Sequence, residues 1–161
     1  MKQLGILLLL MCCCAPLCAQ DIALATVPSG PDAPAQEEAQ KHIKKGDEWL
    51  ARGTEHFKEA LPYFLKAQEI IPNDPELNFK IGKCYLLGST ERLRSLDYFL
   101  KARAHNPKVD PHLLYYLGQA YHLNMELDTA LGTFKAYKKT IPPGTSFSKV
   151  QEVDRLMRQC E

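Results

Sequence analysis

The chain has 161 residues, of which 20 are Lys or Arg, 19 are Asp or Glu and 45% are hydrophobic. A net charge of +1 offers no bulk electrostatic basis for nucleic-acid binding, and the hydrophobic content excludes a chain that is disordered throughout. The length suits one domain or a short array of repeats.

Residues 1–19 have the pattern of a secretory signal peptide. One cation, Lys2, precedes an apolar run over residues 4–15, which is shorter than the roughly 20 residues of a membrane-spanning helix. Ala19 is a small residue suited to cleavage before Gln20. The alternative, a buried N-terminal helix, is disfavoured because such helices seldom lack a polar face.

Cleavage after Ala19 predicts a protein that is exported across the inner membrane into the periplasm. Association with the outer membrane is a further alternative. Lipidation is a second alternative, disfavoured because none of the cysteines at positions 12, 13, 14 and 18 directly follows Gly, Ala or Ser. Cleavage leaves only Cys84 and Cys160, and no membrane span is expected in the mature chain.

Residues 20–36 predict an extended, flexible tether. The segment holds three prolines together with Ser29 and Gly30, and it has no hydrophobic period. From residue 37 the sequence changes to long helical patterns that are interrupted at regular intervals.

Four features recur in register through residues 37–142. Prolines, phenylalanines and small residues each recur at a spacing of 35, and glycines recur at a spacing of 36 with an aromatic residue three positions later. The four sets are Pro72, Pro107 and Pro142; Phe64, Phe99 and Phe134; Ala60, Ser95 and Ala130; and Gly46, Gly82 and Gly118.

This periodicity predicts three helical hairpins, at residues 37–72, 75–107 and 110–142. The glycine of each first helix gives a flat place where a neighbouring helix can approach, and the proline ends each second helix. The predicted helices are 37–52, 57–71, 75–88, 92–106, 110–124 and 127–140. A capping helix is expected within residues 146–161, begun by a capping box at Ser148 and Gln151.

The repeats resemble the tetratricopeptide repeat (TPR), and the third unit matches its motif best, with Leu114-x2-Leu117-Gly118-x2-Tyr121 followed by Ala130, Phe134 and Pro142. The resemblance implies an all-α fold, an α-solenoid of three TPR hairpins plus a C-terminal capping helix. It also implies an interaction scaffold rather than an enzyme.

The residues themselves give little support for catalysis or for a cofactor. The five histidines form no i, i+4 pair, and no phosphate-binding loop or nucleophile motif occurs. Cys84 and Cys160 lie about two repeats apart, roughly 20 Å at the usual helix spacing, which is too far for a disulfide. We therefore expect no metal, no cofactor and no enzymatic activity.

In TPR proteins the first helices line a concave face, and this implies a protein-binding groove in the present chain. The predicted groove residues are Asp47, Phe79, Lys83, Leu86, His112, Tyr115, Gln119 and His122. The alternative is that several of them, Phe79 above all, pack between repeats. Members that clamp a C-terminal carboxylate carry Lys and Asn at the inner positions. This chain has Ile43 and Asp47 there in its first unit, and Phe79 and Lys83 in its second, which argues against that mode.

The signal peptide, tether, repeats and final helix also resemble the N-terminal region of Bacteroidetes-type OmpA-like envelope proteins, some of which serve type IX secretion. In that group a β-propeller and a peptidoglycan-binding domain follow the repeats. The sequence thus predicts a secreted scaffold that binds a protein or peptide partner in an envelope or secretion assembly. The alternative is the N-terminal fragment of a larger peptidoglycan-associated protein; the oligomeric state stays open.

Overall fold

The structure, a computed structural model, describes residues 32–144 and 146–161. The predicted signal peptide and residues 20–31 of the predicted tether lie outside the described residues. Within the described ranges the chain forms seven α-helices and no strand. These are α1 (Ala33–Leu50), α2 (Phe57–Ile70), α3 (Pro75–Gly88), α4 (Ser95–His105), α5 (Leu113–Leu123), α6 (Leu127–Thr140) and α7 (Phe147–Arg158).

The helices pack in chain order. Helix α1 packs on α2, α3 on α4 and α5 on α6, so each pair joined by a short turn forms a hairpin. Each hairpin packs on the next, and α7 packs on α6. The predicted all-α solenoid of helical hairpins is confirmed.

Helix α1 begins inside the segment that the sequence predicts as a tether. Asp32 is its N-cap, with a side-chain oxygen that accepts a hydrogen bond from the Ala35 amide at 3.1 Å. Pro34 lies in the first turn, where a missing amide hydrogen costs nothing. The predicted tether boundary at residue 36 is corrected accordingly, because Asp32 and Pro34 are helix-start signals and not merely linker residues.

Two later helices begin at positions other than those predicted. Asp110 accepts a hydrogen bond from the His112 amide at 2.7 Å, and this local turn delays the start of α5 to Leu113. Helix α7 begins at Phe147, and its N-cap Ser146 makes no side-chain capping bond to the backbone. Ser148 lies within the helix, so the predicted capping box with Gln151 is wrong.

The turn between the first two hairpins is closed by side-chain hydrogen bonds. Asp74 caps α3 by accepting from the Leu77 amide at 2.7 Å. The fully buried Asn78 donates to the carbonyl oxygens of Pro72 and Asp74, at 2.9 and 2.7 Å. These bonds join the turn after α2 to the start of α3, where the Asp74 carbonyl also accepts from the Asn78 amide at 3.1 Å.

Each hairpin is built on a contact between a glycine and a phenylalanine. The three phenylalanines are fully buried, and each lies against the glycine of its own hairpin. A Cβ atom added to the glycine would lie 2.5–2.6 Å from the phenylalanine Cε1 in all three cases, which no real packing allows. The pairs are Gly46 with Phe64, Gly82 with Phe99 and Gly118 with Phe134. The predicted role of the glycines is confirmed.

The two cysteines of the described residues are free and buried in different parts of the core. Cys84 packs in the cluster of the first two hairpins, where burial raises its pKa to about 12. Cys160 belongs to the cluster of the last two hairpins and α7, and its thiol donates to the Leu156 carbonyl at 3.2 Å. The expectation of no bridge between them is confirmed by the structure.

Candidate functional site

The first helices of successive hairpins present equivalent positions on one face. Asp47, Lys83 and Gln119 are spaced by 36 residues, so they occupy the same place in α1, α3 and α5. All three are partly exposed. We call the strip formed by Asp47, Lys80, Lys83, Tyr116, Gln119 and His122 the first-helix face.

At the N-terminal end of this face an ion pair links two hairpins. Lys80 Nζ lies 2.9 Å from both carboxylate oxygens of Asp47 and 3.4 Å from Glu76 Oε1. The negative charge of Asp47 is therefore already paired, and a partner would meet a neutralised pair there. Such a partly exposed pair contributes little to stability, and it joins α1 to α3.

Lys83 occupies the middle of the face and lies over aromatic rings. Its Nζ is 5.5 Å from the ring centroid of Tyr116, 5.7 Å from that of Phe79 and 6.0 Å from that of Phe57. No carboxylate of the described residues lies within 4.0 Å of it. Lys83 is thus an accessible cation that aromatic rings hold in position and that no carboxylate of the described residues pairs with.

A layer of aromatic side chains supports Lys83 from below. The Phe79 ring lies 5.8 Å from those of Phe99 and Tyr116, and the last two stack at 6.0 Å. Phe79 is only 5% exposed and Leu86 is fully buried. These two predicted groove residues therefore pack between helices, and the packing alternative applies to them.

Tyr115 is a third predicted groove residue that packs internally. Its hydroxyl donates to Glu152 Oε1, and Lys149 Nζ lies 4.4 Å from its ring centroid, so α7 covers it. Burial raises its pKa, and the Glu152 carboxylate adds to that effect. His112 is exposed, with its Nδ1 2.8 Å from the Tyr137 hydroxyl.

Gln119 and His122 are partly exposed on α5 and extend the face beyond Lys83. Asp47, Lys83, Gln119 and His122 are thus partly exposed on the first helices, whereas His112 lies at the start of α5, next to α7. The sequence reasoning missed Lys80 and Tyr116, although both occupy one equivalent position at the same spacing of 36. It had no signal for Lys149 and Glu152, which belong to the helix that follows the repeats.

We expect alkaline pH to destabilise the protein through its buried tyrosines. Burial raises the pKa of Tyr85, Tyr115, Tyr116 and Tyr137 above the ordinary value of about 10. Folding favours the neutral phenols, so their contribution to stability is complete below about pH 10 and is lost as the pH rises further.

The variant Tyr115→Phe isolates one of these groups. At pH 8 its free energy of unfolding, measured with urea, should be about 1.5–3 kcal/mol lower than that of the wild type, because the hydrogen bond to the Glu152 carboxylate is missing. Above pH 10 the difference in the free energy of unfolding between the variant and the wild type should become smaller. Only the wild type has this phenol, whose ionisation in the unfolded state destabilises the fold. A gap that widens with pH would contradict the assignment.

Two further properties concern only residues 32–144 and 146–161. Within them no three His, Cys, Asp or Glu side chains are grouped so that they could hold a metal ion. Within the same residues no helix has the length and hydropathy to cross a membrane.

No protein-family model matches the chain, and no curated protein matches it either. Solved structures do show the fold. The TPR2B domain of yeast Sti1 in a complex with an Hsp70 peptide is 16% identical at a TM-score of 0.59, with 77% of this chain and 96% of that one covered. The first TPR of Spaghetti (RPAP3), bound to the HSP90 peptide SRMEEVD, is 16% identical at a TM-score of 0.60. The match covers 76% of this chain and 93% of that one.

The yeast Sti1 TPR2AB domain in a complex with an HSP90 peptide is 17% identical at a TM-score of 0.58, and the match covers 77% of this chain but 46% of that longer one. These similarities establish the TPR fold. At such identities they show the fold alone.

Proposed function

We propose that this protein is a secreted scaffold that binds an extended peptide or a helix of a protein partner on its first-helix face. The observation that carries the proposal is Lys83, a half-exposed cation set over three rings without a carboxylate partner among the described residues. A fixed cation beside aromatic surface and flanked by Gln119 suits a peptide that offers both a carboxylate and apolar contacts.

The fold supports the same function. The similar solved domains named above are bound to peptides of Hsp70 or HSP90 in their complexes. On the present face Asp47 occupies an inner position and pairs with Lys80, where carboxylate-clamping TPR proteins carry Lys or Asn. We therefore propose a different peptide partner from those of the Sti1 and RPAP3 domains.

We place the partner in the cell envelope, in an envelope or secretion assembly. The support is the sequence of residues 1–19 together with the resemblance of the whole chain to the N-terminal region of OmpA-like envelope proteins. A scaffold with an interaction face and a secretory signal would act on proteins that share its compartment.

Site-specific photocrosslinking in the envelope tests this function. With the full chain, a benzoylphenylalanine at position 119 should crosslink to a discrete partner, whereas one at the exposed position 135 of α6 should not. Lys83→Glu should reduce the crosslinked product about tenfold, because it places a like charge against the partner's carboxylate.

The matched control is Lys135→Glu, which makes the same charge reversal on an exposed position of α6. It should leave the yield at position 119 unchanged. Equal crosslinking at positions 119 and 135, or a yield at 119 that does not respond to Lys83→Glu, would count against the first-helix face.

A further inference from the structure

A cavity of about 380 Å³ lies at the third hairpin, where α5 begins, α6 ends and α7 begins. We call it the end pocket. Its size falls within the range of about 300–1,000 Å³ that is usual for ligand pockets. The residues that define it here are Pro111, His112, Tyr137, Ile141, Ser146 and Lys149.

The walls of the end pocket are mostly apolar, and this is not a general property of the repeats. Pro111, Ile141 and the Tyr137 ring supply the apolar surface. A smaller cavity of about 210 Å³ lies between α1 and the start of α3. Four charged side chains line that smaller cavity: Asp47, Asp74, Glu76 and Lys80. The end pocket therefore has a chemistry of its own.

The polar groups of the end pocket are held in place by bonds between helices. His112 Nδ1 and the Tyr137 hydroxyl are 2.8 Å apart and join the start of α5 to α6. The Tyr115 hydroxyl donates to Glu152 and joins α5 to α7. A pocket whose walls are already positioned pays little ordering entropy when it is filled.

Lys149 gives the pocket a cation at its edge. Its Nζ lies 4.4 Å from the ring centroid of Tyr115, and no carboxylate of the described residues lies within 4.0 Å of it. The carboxylate nearest along its own helix, that of Glu152, accepts the Tyr115 hydroxyl. Asp154 of the same helix pairs with Lys138, at 2.6 Å. The Lys149 ammonium group would therefore be complemented by an anion of a bound ligand.

We propose that the end pocket binds a large apolar side chain of the protein partner, carried next to a carboxylate that pairs with Lys149. This inference rests on the proposed function and extends it, since His112 leads along α5 to Tyr116, Gln119 and His122 of the first-helix face. A peptide that crosses the face therefore reaches the pocket. The apolar walls select the side chain, and the ammonium group selects the acidic neighbour.

Methyl NMR of the full chain, labelled at isoleucine, tests the proposal because Ile141 lines the pocket while Ile43 and Ile81 lie in other hairpins. The probe is acetyl-Phe-Asp-amide. Its controls are acetyl-Phe-Asn-amide, without the charge, and acetyl-Ala-Asp-amide, without the apolar group. The Ile141 methyl should shift on titration with the probe, and each control should bind about tenfold more weakly.

Two variants complete the test. Lys149→Met keeps the apolar stem and should weaken the Phe-Asp probe about tenfold while leaving the Phe-Asn control unchanged. Ser146→Trp, at an exposed position on the rim, should block both peptides. The matched control Lys139→Met changes an exposed lysine of α6 and should have no effect. Melting curves verify that each variant is folded.

Three results would overturn the proposal: no selective shift of Ile141, equal affinity for the Phe-Asp and Phe-Asn peptides, or an unchanged affinity in Lys149→Met. None of them bears on the photocrosslinking at position 119, so the end pocket and the first-helix face fail separately.

Discussion

We expect Phe99→Ala to lower the free energy of unfolding by about 3–5 kcal/mol, the usual cost of removing a buried phenylalanine. The Phe99 side chain is fully buried in the middle hairpin, where its ring packs against those of Phe79 and Tyr116. Its removal leaves a cavity beside Gly82, which has no side chain to fill it.

Urea unfolding followed by far-UV circular dichroism measures this loss. The control Lys101→Ala changes an exposed residue of the same helix, whose ammonium group lies 5.2 Å from the Tyr98 ring centroid, and it should cost less than about 1 kcal/mol. Because Phe99 supports the ring under Lys83, the Phe99→Ala variant should also lose partner crosslinking at position 119. A loss of stability as small as that of the control would contradict the packing described above.

The second large effect is expected from Gly82→Ala. The added Cβ atom would lie 2.6 Å from Phe99 Cε1 and 2.7 Å from Cδ1, so the ring or the helix must move. Overpacking of this kind costs about 1–3 kcal/mol. The higher helix propensity of alanine returns at most about 1 kcal/mol, so the net change should be destabilising.

Gly132→Ala is the matched control because both substitutions make the same chemical change inside a helix. A Cβ atom at Gly132, an exposed position in α6, would have no atom within 4 Å. This variant should gain about 1 kcal/mol from helix propensity alone. The propensity gain cancels in the difference between the two variants, which measures the cost of the contact with Phe99. Melting temperatures that move in the same direction would contradict this account.

Much of the fold could be predicted from the periodicity. The spacing of the prolines indicates where α2, α4 and α6 end, and the structure ends these helices at Ile70, His105 and Thr140. The recurrence of glycine and phenylalanine predicts the close approach of two helices, since only a residue without a side chain permits it. These signals are local and repeated, so each copy supports the others.

The helix starts were less predictable. Asp32, Asp110 and Ser146 are all short polar residues that could cap a helix or close a turn. Asp32 caps α1 directly, whereas Asp110 closes a turn before α5, and Ser146 is an N-cap without a side-chain bond. The residue type alone does not distinguish among these geometries, since the same short side chain serves in each of them.

The predicted groove residues also divide into those that lie on the surface and those that the structure buries. Asp47, Lys83 and Gln119 follow from the repeat spacing, and the structure places them on one partly exposed face. Phe79, Leu86 and Tyr115 lie on the same helices but are buried. The rotation of the adjacent helix decides whether a position near the edge of an apolar helix face is covered or exposed. The sequence pattern does not specify that rotation.

By itself the sequence determined the hydrophobic period, the helix-ending prolines and the glycine-to-phenylalanine spacing, and these suffice for three hairpins because each acts within a single repeat. Only the tertiary structure decided which side chains meet across repeats. Lys80 pairs with Asp47, and Tyr115 bonds to Glu152, over more than 30 residues of chain. Such contacts depend on the angle between successive hairpins, where a small rotation moves a side chain by several ångströms. That angle leaves Lys83 accessible and places α7 so that the end pocket forms.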